Sequence, residues 1–166
     1  MQTISDADLQ QLTTQVAMCL LKRNWMLSSA ESCTGGWLAK CCTDLAGSST
    51  WFERGAVTYS NQSKQDFLNV QSSTLSMFGA VSEQTVIEMA QGILTHSNSD
   101  ISVAITGIAG PDGGSNDKPV GLVWFAWAAK NVSCIAQCHY FEGDRETIRR
   151  KAVFVALNGI IKNARD

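Results

Sequence analysis

Long basic runs, long apolar runs and metal-ligand spacings are all missing from this 166-residue chain. Lysine and arginine are scattered and the net charge is −2, so the basic footprint of a nucleic-acid binder is absent. The longest apolar stretch, residues 120–129, is too short to cross a bilayer. Residues 1–11 carry Asp6 and Asp8 and no apolar core, so they do not read as a signal peptide, and the cytoplasm is the expected compartment. Histidine is scarce, with only His96 and His139. The six cysteines lack CxxC spacing. Cys41 and Cys42 are adjacent, and Cys134 and Cys138 would sit about 13 Å apart on a strand at about 3.3 Å per residue. Zinc and disulfide frameworks are therefore not indicated, and the cysteines are expected to be reduced, mostly buried small apolar residues. No repeat, low-complexity tract or interdomain linker interrupts the chain. What remains is 45% hydrophobic and 17% charged, the balance of one globular domain over residues 1–166.

Periodicity predicts an amphipathic helix over 6–22, with Leu9, Leu12, Val16, Cys19 and Leu20 inward. Strands are predicted over 26–32, 52–59, 100–106, 120–129 and 132–141. Helices are predicted over 35–44, from the cap Ser60 to 68, over 74–78, from the cap Ser82 to 96, and from the cap Asp144 to 162. Residues 46–49 and 107–119 read as loops. The short Lys130-Asn131 link makes the last two strands an antiparallel hairpin. Helical crossovers between the early strands give an α/β class. The expected architecture is a three-layer α/β/α sandwich with a mixed, mostly parallel sheet of about five strands. Ligands of such folds sit at the C-terminal ends of parallel strands, where Ser32, Tyr59 and Thr106 would converge.

Four segments could carry chemistry there. In Ala30-Glu31-Ser32-Cys33-Thr34-Gly35-Gly36 a serine stands between a strand and a helix, beside amides expected to be free for an oxyanion or a phosphate. The bland reading is a helix-entry serine that merely caps. In Thr58-Tyr59-Ser60-Asn61-Gln62-Ser63-Lys64, a cap at Ser60 would put Tyr59 just before the cap and Lys64 at the fourth helical position. Those two positions are neighbours, so phenol and amine should lie together. A neutral lysine can serve a serine as base. Bringing its pKa from about 10.4 to near 7.5 takes about 4 kcal/mol of environmental bias, which burial and a helix N-terminus supply. Otherwise Lys64 is an ordinary surface lysine. A histidine base is the rival; His96 follows a helix and His139 lies on the hairpin. Thr106-Gly107-Ile108-Ala109-Gly110-Pro111-Asp112-Gly113-Gly114-Ser115 is rich in amides but is neither a Walker loop nor a GxGxxG fingerprint. It is a binding loop or a long turn. In Gly143-Asp144-Arg145-Glu146-Thr147-Ile148-Arg149-Arg150, Arg145 opposes the helix dipole and suits an anionic partner, while Glu146 and Arg150 can pair at i,i+4.

Taken in order, AESCTGG (30–36), AGSSTWFERGAVTYSNQSK (46–64), GAVSE (79–83), ITGIAGPDGG (105–114), KPVGLVWFA (118–126) and GDRETIRR (143–150) resemble the CinA C-terminal domain family. The resemblance covers nearly the whole chain. Stand-alone members of that family are nicotinamide-nucleotide amidases. The resemblance implies hydrolysis of the carboxamide of nicotinamide mononucleotide to nicotinate mononucleotide and ammonia, in pyridine nucleotide salvage. It places the family's catalytic serine, tyrosine and lysine on Ser32, Tyr59 and Lys64. It places nucleotide contacts on Cys33, Thr34, Gly35, Ser49, Thr106, Gly107 and Arg145. It implies no metal and no organic cofactor, a small nucleotide as partner rather than nucleic acid or membrane, and a homo-oligomer, expected as a dimer. An implication from another class is a non-catalytic nucleotide-binding regulatory module, as in inactive paralogues. A general small-amide hydrolase is a third.

Overall fold

The protein's structure, a computed structural model, describes residues 4–164. Residues 1–3 and 165–166, which belong to the domain expected over 1–166 and in part to the segment read at 1–11, lie outside the described residues. Among the described residues the chain forms five strands and six α-helices: α1 (Asp6–Arg23), β1 (Leu27–Glu31), α2 (Trp37–Thr43), β2 (Phe52–Val57), α3 (Asn61–Leu68), α4 (Ser72–Phe78), α5 (Glu83–Thr95), β3 (Ile101–Gly107), β4 (Leu122–Ala129), β5 (Val132–Tyr140) and α6 (Arg145–Asn163).

The helix starts follow their capping chemistry. Ser5 and Asp8 form a reciprocal capping box, and so do Ser60 and Ser63; Ser82 and Asp144 each accept an amide three residues on. The helix read over 35–44 begins only at Trp37, because Gly35 and Gly36 have φ of 61° and 91°, values that suit glycine and do not continue a right-handed helix. The loop read at 46–49 tightens into a 3₁₀ turn, Ser48–Thr50. The two-residue hairpin link works because Asn131 takes φ of 61°.

The sheet order is β2-β1-β3-β4-β5. β1 pairs in parallel with β2 and β3, while β4 pairs antiparallel with β3 and β5. The pairings therefore divide evenly, although only β4 runs against the other four strands. β1 is buried along its whole length and β3 almost so, as central strands covered on both faces should be. α1, α2 and α6 cover one face over a core built on Leu20, Leu27, Leu38, Phe125, Ile148 and Leu157. α3, α4 and α5 cover the other over Leu68, Val86, Met89 and Ala104. Cys19 lies at the edge of the first core, half-buried. Cys33, Cys41 and Cys42 are buried free thiols, whereas Cys138 is exposed on β5, where the outer face of an edge strand meets solvent. One glycine matters for the site: a Cβ on Gly92 would stand 2.0 Å from the Leu68 carbonyl oxygen, so α5 packs backbone to backbone on the end of α3. That contact fixes the helix carrying Lys64. No helix among the described residues is long and apolar enough to cross a membrane.

Candidate active site

β1 runs straight into the site. Its last residue, Glu31, is 1% exposed, and its carboxylate accepts the N–H groups of Gly36 (3.1 Å), Leu38 (3.1 Å) and Ala39 (2.9 Å). The amides expected to be free at the start of α2 are thus taken by a side chain of the same chain. A buried carboxylate needs such donors, and the entry of a helix supplies them. The signal for Glu31 is tertiary: only the folded turn brings residues five, seven and eight positions ahead onto one carboxylate. Between Glu31 and α2 the chain makes a tight turn in which Gly35 N–H donates to Ser32 O (3.0 Å). The N–H groups of Cys33 and Thr34 donate to no main-chain acceptor among the described residues. The hydroxyl Oγ1 of Thr34 is buried and also unpaired.

Ser32 follows β1 and is anchored by its N–H to Ile105 O on β3 (3.0 Å). Its side chain points to the other face of the sheet, where Lys64 comes in from α3. The capping box at Ser60 makes Lys64 the fourth residue of α3, one turn in and facing the strand ends. Lys64 is 1% exposed. Its Nζ donates to Thr58 O (2.7 Å), lies 3.0 Å from Ser32 Oγ, and makes a longer contact to Tyr59 O (3.4 Å). No carboxylate forms an ion pair with it among the described residues. Burial without a counter-charge pushes its pKa from the ordinary lysine value down to about 8, against an opposing pull from Cys33. At pH 7 about a tenth of the amine is then neutral. The Cys33 thiol is pushed up to about 12 by burial, and the amine bonds the Ser32 oxygen rather than that neighbouring sulfur.

Tyr59 meets Lys64 through its carbonyl, not its phenol. The ring is 62% exposed, and the phenolic oxygen accepts from Arg145 Nη2 (3.2 Å). The expected pairing of phenol and amine is corrected accordingly: the residue before the cap turns its side chain outward, across the cavity mouth. Arg145 Nη1 donates to Gly110 O (2.7 Å), which links the start of α6 to the glycine-rich loop. Ser32, Cys33, Tyr59, Lys64, Thr106, Gly107 and Arg145 line one cavity of about 250 Å³. The strand-end convergence expected for Ser32, Tyr59 and Thr106 holds in space. Ala80 and Val81 add an apolar wall that no charged or catalytic-type residue announced, and Asp112 and Gly113 form part of the loop side. Thr106 Oγ1 is turned to Ala80 O (2.8 Å) and fastens that wall.

Three expected contacts fall outside the cavity. Ser49 is exposed on the 3₁₀ turn that precedes β2, and Trp51 O beside it accepts from Leu27 N at the start of β1. The whole length of β2 lies between Ser49 and the strand ends that carry Ser32. Thr34 is fully buried under the turn, and Gly35 faces Arg149 rather than the cavity. Neither histidine lines the cavity: His96 is exposed beside Asn69, and His139 stacks on Phe141 over the hairpin. Among the described residues no group of three or more His, Cys, Asp or Glu could hold a metal ion.

A family model described as CinA C-terminal domain matches residues 9–164. Over 154 residues the chain is 52% identical to a protein of Escherichia coli (strain K12) named nicotinamide-nucleotide amidohydrolase PncC, covering 93% of each. A CinA-like protein of Syntrophomonas wolfei is 48% identical over 147 residues, which are 89% of this chain and 35% of that longer one. The crystal structure of the competence/damage inducible protein CihA from Agrobacterium tumefaciens matches with a TM-score of 0.92 and 43% identity, covering 98% of both chains.

Proposed function

The chain belongs to the CinA C-terminal domain family, and from that premise we propose that it is, as one domain over residues 1–166, an amidohydrolase of nicotinamide mononucleotide, releasing ammonia and nicotinate mononucleotide. The name of the half-identical E. coli relative supports the substrate. The observation that carries the chemistry is the 3.0 Å approach of Lys64 Nζ to Ser32 Oγ, in a cavity that Arg145 also lines.

Neutral Lys64 accepts the Ser32 hydroxyl proton as the oxygen attacks the carboxamide carbon. Proton transfer is direct, across the 3.0 Å between Lys64 Nζ and Ser32 Oγ. Negative charge gathers on the former carbonyl oxygen, where the open N–H of Cys33, a residue that lines the cavity, receives it. Lys64 returns the proton to the departing nitrogen as the C–N bond breaks, and ammonia leaves. Water then attacks the nicotinoyl ester, Lys64 takes its proton, and Ser32 recovers it as the ester bond breaks. Arg145 and the 107–113 loop hold the ribose phosphate, with Tyr59 over the mouth. That grip supplies orientation rather than bond-making.

The deciding experiment pairs an ammonia-release assay on nicotinamide mononucleotide with a binding titration, for the wild type and Ser32→Ala. The wild type should release ammonia. Ser32→Ala should lose at least about 10³-fold in kcat while keeping its affinity. Binding by the wild type without ammonia would replace the enzyme by a regulatory binding module, and equal rates on free nicotinamide would replace it by a general small-amide hydrolase.

A further inference from the structure

Arg149 lies on the first turns of α6, on the face of the sheet opposite α3 and Lys64, and is not among the residues lining the cavity. Its Nε donates to Cys33 O (3.1 Å) and its Nη2 to Thr34 O (2.8 Å). Trp37, the first residue of α2, covers the guanidinium face with its ring centre 5.2 Å from Cζ. Together with the Gly35 N–H on Ser32 O, every carbonyl from Ser32 to Thr34 is held. A trans peptide points its N–H opposite to its C=O. The N–H groups of Cys33 and Thr34, which share peptide planes with the held Ser32 and Cys33 carbonyls, are therefore turned away from these anchors. Glu31 closes the other end of the turn by occupying the amides of Gly36, Leu38 and Ala39.

We propose that Arg149 is a positioning residue for the reaction: by gripping the Thr34 carbonyl it fixes the plane of the Gly35 N–H that holds Ser32 O, and so sets the next plane, whose Cys33 N–H stabilises the oxyanion formed on the Ser32 adduct. The inference rests on the amidohydrolase reading above. Arg149 is not a second phosphate anchor. It does not line the cavity and one face of it is covered by tryptophan, whereas Arg145 lines the cavity.

Steady-state ammonia release by wild type, Arg149→Met, Arg149→Lys and Arg150→Met tests this. Arg150 stacks on the same Trp37 ring but bonds Asp6 and Glu146 instead of the turn, so it controls for the shared packing. Loss of one aligned oxyanion donor costs about 10²–10³ in kcat. Arg149→Met should accordingly lose about 10²-fold in kcat with KM within threefold, and Arg149→Lys, able to hold one carbonyl, about tenfold. Arg150→Met should stay within twofold. If Arg149→Met does not fold, Arg149→Lys decides by the same split. A kcat within threefold of wild type in the Arg149 variants, or a rise in KM larger than the fall in kcat, overturns the positioning role and leaves the amidase reading standing. A wild type that binds the nucleotide but releases no ammonia removes both.

Discussion

On the α2 side of Ser32 the buried Glu31 carboxylate meets three main-chain N–H groups; on the α3 side the buried Lys64 amine meets a hydroxyl and two carbonyls but no carboxylate. Both groups are 1% exposed. Glu31 sits where a charge is satisfied, at the entry of a helix, and its work is to hold a turn. Lys64 sits where a charge is penalised, and its pKa falls to about 8 for that reason. The difference separates architecture from chemistry within a few residues of the same serine. A carboxylate that only organises the chain can be fully paired, whereas a base must give up stability to stay near neutral.

The largest break in this comparison is Lys64→Met. Activity should fall at least about 10³-fold, since among the described residues nothing else within bonding distance of Ser32 Oγ can accept its proton. Stability should move the other way. A fall from 10.5 to about 8 corresponds to about 3 kcal/mol against the folded state. Net of the hydrogen bonds lost, the variant should gain about 1–2 kcal/mol by urea unfolding at pH 7. The lysine carries its full penalty below pH 8, where folded and unfolded chains are both charged. The penalty is relieved as pH rises from about 8 to 10.5, because there the unfolded chain binds the proton that the folded one has shed. The gain of the methionine variant should therefore shrink across that window.

Arg145→Ala tests the anchoring end of the cavity. KM should rise about 10–100-fold with a smaller fall in kcat, read from the same ammonia assay. Glu31→Gln sharpens the other half of the contrast. A neutral amide has one acceptor oxygen for three donors, so unfolding should cost about 2–3 kcal/mol less, and kcat should drop as the turn loosens. Its stability loss and the gain of Lys64→Met should have opposite signs. The smallest effect is expected for Ser49→Ala, which should leave kcat and KM within twofold because the residue lies at the far end of β2.

Much of this was legible in the residues. Ser60 announces a helix cap, the cap numbers the helix, and the numbering puts Lys64 one turn in beside the strand ends. The serine between strand and helix marks the turn, although Gly35 and Gly36, read into the helix, belong to that turn, and Arg145 stands out by opposing its helix dipole. What stayed hidden was set by tertiary geometry. Glu31 and Arg149 act on main-chain groups, which have no sequence signature, and the Tyr59 phenol turned to an arginine 86 positions away. The Ser49 expectation came from a family motif; topology argued against it, since a residue before a parallel strand lies at the end opposite its C-terminus.

The account stands on an amine that is buried, unpaired with any carboxylate and poised to be neutral beside Ser32. Following the Lys64 side-chain amine by NMR across pH 6–11 in the free protein reads that state directly. Loss of its proton with a midpoint near 8 is the predicted result, and an amine that stays protonated past pH 10 would contradict it.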